Sequence, residues 1–223
     1  MFMKRVLSRI GIAAFSLLLA VAVAAAGETP KADGSPDAAA KEIAGLISGG
    51  AAALAKARAG DGDALDEAEE YLDRALKLAP DHPEILSLHG MMLTIKGREA
   101  MLPMMKMRHV NNGLKEMDRA VELDPMNFGI RYQRGACCLN LPDVFGRAGT
   151  AVEDFEHLLM MIEHAPESVP AERAAAVKLS LAQARINAGR ADDARALLEN
   201  FLAGEPDSSS AAAAKALLAG IDD

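Results

Sequence analysis

The sequence contains no tryptophan, only two cysteines and only eight aromatic residues among its 223. Scarcity of aromatic and β-branched residues disfavours β-sheets, whose strands are rich in those residue types. Ala, Leu, Glu, Lys and Arg are abundant instead, and they favour helices. The composition therefore predicts an all-α protein of one or two domains.

The two cysteines, Cys137 and Cys138, are adjacent in the chain. A disulfide between them would close an eight-membered ring that a helical backbone does not accommodate. We interpret both as small buried residues, with a redox or metal role as the alternative. Without a disulfide framework, the stability of the domain has to come from helix packing.

The sequence also lacks the common enzyme motifs. It has no phosphate-binding glycine loop, no nucleophile elbow and no zinc-binding HExxH motif. Its carboxylates lie beside Lys and Arg on predicted helix faces, which is the ordinary use of charge on solvated helices. These observations predict a protein that is not an enzyme, with no cofactor and no dedicated metal site.

The N-terminus has the pattern of a secretory signal peptide. Three basic residues precede an apolar run at residues 10–24, and small residues follow at 24–26. We predict a signal peptide over residues 1–26 and a periplasmic or secreted mature chain with no stable membrane span. An uncleaved anchor is the alternative, although the run is shorter than the ~20 residues that a span needs.

The predicted mature chain is acidic. Without its first 26 residues it carries 21 Lys and Arg against 32 Asp and Glu, a net charge of −11. General binding to nucleic acid is disfavoured by that balance, because DNA and RNA backbones are themselves negatively charged.

Three segments of the chain share one spacing of apolar residues. They read "ALDEAEEYLDRALKLAPDHP", "GLKEMDRAVELDPMN" and "GRADDARALLENFLAGEPDS", and each predicted helix ends two or three residues before a proline. The residues at equivalent offsets are Ala68, Leu72, Ala75 and Pro80; Gly113, Met117, Ala120 and Pro125; and Ala194, Leu198, Phe201 and Pro206.

This spacing resembles the tetratricopeptide repeat, a helix-turn-helix unit of about 34 residues. The first-helix pattern of that family is present in "LSLHGMMLTIKG" and in "RYQRGACCLNL", where Gly135 stands at a close helix approach. The resemblance implies an all-α, right-handed helix-turn-helix solenoid of about four units over residues 38–206. A linker at 27–37 precedes it, and a capping helix at 207–223, with serine caps and an apolar stripe at Ala213, Leu217 and Ile221, follows it.

The second unit carries an insertion. Thirty residues separate Gly90 from Ala120, eleven more than the repeat spacing, and eleven residues are almost three helical turns. Both helices can then lengthen in phase, and we predict a hairpin insertion at residues 98–112 with one helix from about Met104 to Leu123. Its core stripe is predicted at Met107, Val110, Leu114, Met117 and Val121. The alternative is a turn at Gly97 followed by a small extra helix.

The tip of this hairpin is the first candidate binding surface. From residue 96 to residue 115 there are five Lys or Arg against one Glu, a local charge of +4 that suits an anionic headgroup or an acidic partner. Methionines adapt to irregular partners, although they also serve as ordinary packing between helices. The predicted tip residues are Met101, Leu102, Met104, Met105, Lys106, Arg108 and His109.

The second candidate surface comes from the resemblance, which implies a groove lined by the first helix of each unit. None of its members is basic, so capture of an acidic C-terminal peptide is not expected, and a neutral groove suits a helix, an extended peptide or an apolar molecule. Val144 and Phe145, in a loop inserted in the third unit, are predicted to fold back onto the solenoid. The groove residues are Ser87, Met91, Thr94, Tyr132, Leu139, Asn140, Gln183 and Asn187.

Three functions remain open on these observations. The prediction we prefer is a non-catalytic exported adaptor that binds an envelope protein through its groove and its hairpin tip. The alternative is a carrier of an apolar, lipid-like ligand in a transport system. Copper binding is a third hypothesis, because thioethers and imidazoles suit Cu(I). Its ligand sets would be Met101, Met104 and Met105, or His157, Met161 and His164.

Overall fold

A computed structural model describes residues 36–204 and 206–222. The predicted signal peptide, its cleavage point and residues 27–35 of the predicted linker lie outside the described residues. The described residues form helices and turns and no strand, which confirms the all-α class. Their nine α-helices are Pro36–Arg58 (α1), Ala64–Leu78 (α2), Pro83–Glu99 (α3), Pro103–Leu123 (α4), Phe128–Leu139 (α5), Ala148–His164 (α6), Ala171–Asn187 (α7), Ala191–Ala203 (α8) and Ser208–Asp222 (α9).

Successive helices pack in pairs: α1 with α2, α3 with α4, α5 with α6, and α7 with α8. Each odd-numbered helix also packs on the next odd-numbered helix, from α1 through to α9. The odd-numbered helices therefore form one layer, and α2, α4, α6 and α8 form the second. This arrangement confirms four stacked helix-turn-helix units and a closing helix, as the resemblance to the tetratricopeptide repeat implies.

The residues at the offsets that the three sequence segments share form the buried faces of α2, α4 and α8. Their helices end at Leu78, Leu123 and Ala203, two or three residues before the prolines. The same apolar spacing thus packs each second helix onto its unit. The fully buried residues at these offsets are Ala68, Leu72, Ala75, Met117, Ala120, Ala194 and Leu198.

The first helix, α1, begins at Pro36, so the last two residues of the predicted linker are helical. Leu46, Ala53, Leu54 and Ala57 are buried on its packed side. By length and composition alone α1 is also apolar enough to cross a membrane, and 22% of its apolar window is buried. This second apolar segment was not predicted from the sequence.

The closing helix α9 differs in detail from its prediction. Asp207 rather than a serine caps it, accepting hydrogen bonds from the Ser209 hydroxyl at 2.6 Å and from the Ser209 and Ser210 backbone N–H groups at 2.9 and 3.0 Å. The hydrogen bonds from Ser209 and then Ser210 lower the pKa of the Asp207 carboxyl. The apolar stripe contains Ala214, which is fully buried, instead of the exposed Ala213.

Helices α3 and α4 meet through backbone at a pair of glycines. A Cβ atom added to Gly90 would lie 2.6 Å from the Gly113 carbonyl oxygen, and a Cβ on Gly113 would overlap the Gly90 carbonyl oxygen. Farther along, a Cβ on Gly97 would lie 2.6 Å from the Val110 side chain. The preferred prediction of lengthened helices is confirmed and the alternative of a turn at Gly97 is wrong, because α3 continues through this residue to Glu99 and α4 runs from Pro103 to Leu123. The glycines serve close helix packing.

A network of buried charges joins α4, α5 and α6. The fully buried Asp154 carboxylate accepts hydrogen bonds from Arg131 Nη1 at 2.9 Å and from Arg134 Nε and Nη2 at 2.8 Å. Arg134 and Arg147 both donate to Asp118 on α4. Every charge in the network has a partner, which buried ions require because an unpaired one costs several kcal/mol.

His89 links three helices. Its Nδ1 lies 2.5 Å from Glu116 Oε2 on α4, and its Nε2 lies 3.4 Å from Asp73 Oδ1 on α2. Burial of the imidazole opposes protonation, but the hydrogen bond and charge of Glu116, helped by Asp73, outweigh burial and raise the His89 pKa above 6.5. The charged imidazole therefore stabilises the contact of α3 with both neighbours.

Substituting Gly113 with alanine is expected to destabilise the fold by about 1–3 kcal/mol, because the new Cβ meets backbone that cannot turn aside. The control is Gly45→Ala on α1, where a Cβ would have no neighbour within 4 Å. That substitution is expected to stabilise by roughly 0.5–1 kcal/mol through helix propensity. Urea unfolding monitored by circular dichroism measures both. An unchanged midpoint for Gly113→Ala would contradict the close contact.

Stability is also expected to depend on pH through His89. Because the folded-state pKa is raised, the stabilisation is complete below the unfolded value near 6.5 and is lost as pH rises through the folded value. His89→Gln should flatten that part of the stability curve, measured as the urea midpoint between pH 5 and pH 9. The matched control is His164→Gln, an exposed histidine on α6, which should leave the curve unchanged. Equal slopes in wild type and His89→Gln would refute the assignment.

Candidate functional site

The turn between α3 and α4 and the start of α4 expose large apolar side chains. Met101, Leu102, Met104 and Met107 are 95%, 65%, 82% and 41% exposed, and we name these four residues the methionine tip. The prediction of Met107 as a core residue is wrong, since the buried stripe of α4 begins one turn later, at Val110.

The two residues of the methionine tip that precede α4 lie in a short connection between packed helices. α3 ends at Glu99, and α4 begins at Pro103, a residue suited to a first helical turn because that turn needs no N–H donor. The Leu102 carbonyl accepts hydrogen bonds from the Met105 and Lys106 N–H groups at 3.0 Å. Three residues therefore connect two packed helices.

Helix α4 extends well past the start of its neighbour α6. Arg147, which immediately precedes α6, donates to Asp118 at 2.8 Å, and residues 103–117 of α4 precede that point. At 1.5 Å per residue this segment is roughly 20 Å long. Val110 is still covered by the core, so the uncovered part of α4 is its first two turns.

The remaining predicted tip residues divide into two groups. Lys106 and Arg108 are exposed, whereas Met105 and His109 are half-buried. The structure therefore brings the apolar and the cationic members of the prediction together at one end of the hairpin. Met105 and His109 contribute less surface than predicted, because both are half-buried.

The positive charge at this end is carried by three free side chains. Arg98, Lys106 and Arg108 are exposed, and no carboxylate among the described residues pairs with them. Lys96, counted in the sequence as part of the same charge, forms an ion pair with Glu69 on α2. Between positions 96 and 115 the sequence has one acidic residue, Glu99. It is the last residue of α3 and so lies next to the tip.

Four predicted groove residues lie together between α5 and α7. Gln183 Nε2 donates to Asn187 Oδ1 at 2.9 Å, and Asn187 Nδ2 donates to the Leu139 carbonyl at 3.3 Å. Asn140 is exposed at the end of α5 and donates to the Ala136 carbonyl at 2.7 Å. We name Asn140, Gln183 and Asn187 the amide patch. Its side chains offer donors and acceptors and no charge.

The amide patch borders a small cleft of about 130 Å³ lined by Leu139, Asn187 and the loop that follows α5. Phe145 of this loop packs on the core, as predicted, whereas Val144 is 76% exposed, contrary to prediction. The loop thus covers one side of the cleft. A volume of this size accommodates one side chain rather than a whole lipid.

Of the other predicted groove residues, one is buried and three are half-buried. Ser87 is fully buried and donates to Gln133 at 2.5 Å, so its prediction as a surface residue is wrong. Tyr132 packs between the rings of Phe128 and Phe155. Met91 is half-buried against the core of the first two units, and Thr94 accepts a hydrogen bond from Cys137.

The two copper ligand sets do not form compact groups. Met101 lies in the turn, so it shares no helix face with Met104 and Met105. In the second set Met161 packs on the core, while His164 is exposed with its Nδ1 3.1 Å from the Met160 carbonyl oxygen. Among the described residues, no group of three or more His, Cys, Asp and Glu side chains is arranged to hold a metal ion.

An open cleft of about 400 Å³ lies between α6 and the turn before α8. This cleft was not predicted from the sequence. At the edge of this cleft, the Glu156 carboxylate forms ion pairs with Arg185 and Arg190, with N–O distances of 3.0 and 3.4 Å. Its lining residues come from segments about thirty positions apart, so no local sequence pattern indicates it. It is lined by Gly149, Val152, Glu153, Glu156, His157, Met160, Ala188 and Arg190.

The adjacent thiols are held in unreactive surroundings. Burial raises the pKa of Cys138 to about 12, and burial also raises the pKa of Cys137. Cys138 is 3% exposed and packs among the core of the third unit. Both features fit the interpretation of the pair as packing residues, because the thiolate is the reactive form.

No protein-family model and no curated protein sequence matches the chain. Among solved structures it is similar to a variant of the Thermobaculum terrenum O-GlcNAc transferase, at 22% identity and a TM-score of 0.46. That match covers 66% of this chain and 22% of the transferase, so this chain spans about a fifth of that enzyme's length.

Two further similar structures are matched over most of their own length. MamA AMB-1 is 17% identical with a TM-score of 0.45, and the match covers 78% of this chain and 96% of MamA. A thermophilic TPR protein of Thermus thermophilus is 18% identical with a TM-score of 0.42, covering 79% of this chain and 98% of that protein. The chain is TPR-like in fold, and its own helix pairing carries that assignment.

The folded chain is expected to resist thiol reagents. At pH 8 a thiol with a pKa of about 12 is ionised roughly a thousandfold less than an ordinary cysteine, so Cys138 should react correspondingly more slowly with Ellman's reagent. Two thiols per chain should react at once in 6 M guanidinium, which serves as the control. Rapid reaction of both thiols in the folded chain would contradict the packing role.

Proposed function

We propose that this chain is a non-catalytic, exported adaptor that binds an envelope protein at the amide patch and contacts the cell envelope through the methionine tip. The observation that carries the proposal is the exposure of four large apolar side chains on a rigid hairpin. A contiguous apolar surface of this kind is typical of interaction sites. Burial of one methionine side chain contributes about 1.5–3 kcal/mol, enough for a few of them to hold a partner.

The amide patch supports the protein-binding part of the proposal. Asn140, Gln183 and Asn187 come from two adjacent helices of the same layer, and the Leu139 carbonyl lies between them. Neutral amides that donate and accept together suit the backbone or polar side chains of a peptide. Export rests on the signal-peptide pattern of residues 1–26.

The geometry does not favour the carrier hypothesis. The cleft beside the amide patch has a volume of about 130 Å³, and the cleft of about 400 Å³ beside α6 is open to solvent. Sites for lipid-sized ligands enclose ~300–1,000 Å³ and bury most of the ligand surface. Neither described cleft meets that requirement.

Site-specific photocrosslinking in the native host tests the protein-binding part. A photoreactive amino acid at Asn187 or Asn140 should capture one defined envelope protein, identified by mass spectrometry. The matched control is Asn200, an exposed asparagine on the outer helix α8, which should capture none. The same adducts from Asn200, or none from any of the three positions, would refute the proposal.

A further inference from the structure

The methionine tip concentrates apolar surface at the end of the hairpin. It supplies four of the nine large apolar side chains that are exposed among the described residues, within seven consecutive positions. Met101 and Leu102 stand at the extreme end, in the turn itself. Neither of the described clefts is lined by a residue of the tip.

The unpaired cations Arg98, Lys106 and Arg108 lie in the two helices, farther from the end of the hairpin than Met101 and Leu102. Lys106 and Arg108 follow the start of α4 by three and five residues, which places them about 5–8 Å along the helix axis from Pro103. Arg98 lies at the matching level on α3, one residue before that helix ends. Lys106 and Arg108 therefore lie in the first two turns of α4 and Arg98 in the last turn of α3, with Glu99 as the one acidic residue beside them.

This layering matches the interface of a lipid bilayer. A surface-bound protein element buries its apolar side chains about 5–10 Å into the boundary between headgroups and acyl chains, with cations among the phosphates. An acidic peptide would neutralise the cations, but neither described cleft, where an extended chain or a helix could be held, includes a tip residue. A flat anionic surface complements both the apolar end and the charge.

We infer that the methionine tip inserts into an anionic lipid surface, with Met101, Leu102 and Met104 in the apolar boundary and Arg98, Lys106 and Arg108 at the lipid phosphates. This inference rests on the proposed function and names the envelope component that the tip contacts. The acidic body of the chain is repelled by the same surface, so the hairpin alone makes the contact. The protein partner is assigned to the amide patch, at the carboxyl-terminal ends of α5 and α7.

Because the chain has no native tryptophan, one introduced tryptophan is the only source of tryptophan fluorescence and reports on its own surroundings. In the full-length chain, the fluorescence of a Met104→Trp variant should shift to shorter wavelength when vesicles containing 30% phosphatidylglycerol are added. Brominated lipids in those vesicles should quench it. The control is Met126→Trp, at an exposed methionine beyond the other end of α4, whose emission should not change. Both variants share the N-terminal apolar run, so attachment through that run does not account for a difference between the reporters at positions 104 and 126.

Charge reversal tests the role of the cations. Adding Lys106→Glu and Arg108→Glu to the reporter chain should weaken binding to phosphatidylglycerol vesicles at least tenfold, because each cation near an anionic surface contributes about fivefold. Binding of the parent reporter should fall as salt is raised. Pure phosphatidylcholine vesicles should bind it at least tenfold more weakly than anionic ones.

Three outcomes would overturn the inference. The first is an unshifted Met104→Trp emission with anionic vesicles. The second is an equal shift in the Met126→Trp control. The third is a shift with polyglutamate but not with lipid, which would assign the tip to an acidic polypeptide. Crosslinking at Asn187 is measured separately. Loss of the lipid contact would therefore not contradict the protein-binding part of the proposed function.

Discussion

The backbone contact between Gly90 and Gly113 is the constraint on which the rest of the account depends. Because neither residue has a Cβ, α3 and α4 approach until carbonyl oxygens occupy the space of side chains. Gly97 repeats the contact nearer the turn, against Val110. Two helices held this closely are joined by three residues at the end of the pair. Met101 and Leu102 lie in that short connection, and both are exposed.

Electrostatic contacts fix the units on either side of the hairpin. His89 connects α3 to both α2 and α4. Within the third unit, the Asp154 carboxylate on α6 forms ion pairs with Arg131 and Arg134 on α5. Ions in these positions are stable because each has a partner, and they specify one alignment of neighbouring helices. The hairpin therefore projects from a framework whose helix register is set by charge as well as by apolar packing.

The fold was largely predictable, since apolar periodicity and helix-stopping prolines are local features of a sequence. The eleven-residue insertion between Gly90 and Ala120 predicted the long α4 for the same reason. The groove was less predictable. Ser87 and Tyr132 take surface positions in the general repeat pattern, but here Gln133 and two aromatic rings cover them. Burial by partners far away in sequence cannot be derived from spacing alone.

Oxidation of individual methionines tests the central claim most directly. With limiting hydrogen peroxide, peptide mass spectrometry should find Met101 and Met104 converted to sulfoxide many times faster than Met92 and Met117. The first two thioethers are 95% and 82% exposed, and the other two are fully buried. Oxidation of all four at similar rates, or protection of Met101 and Met104, would show that the hairpin does not present its apolar end to solvent.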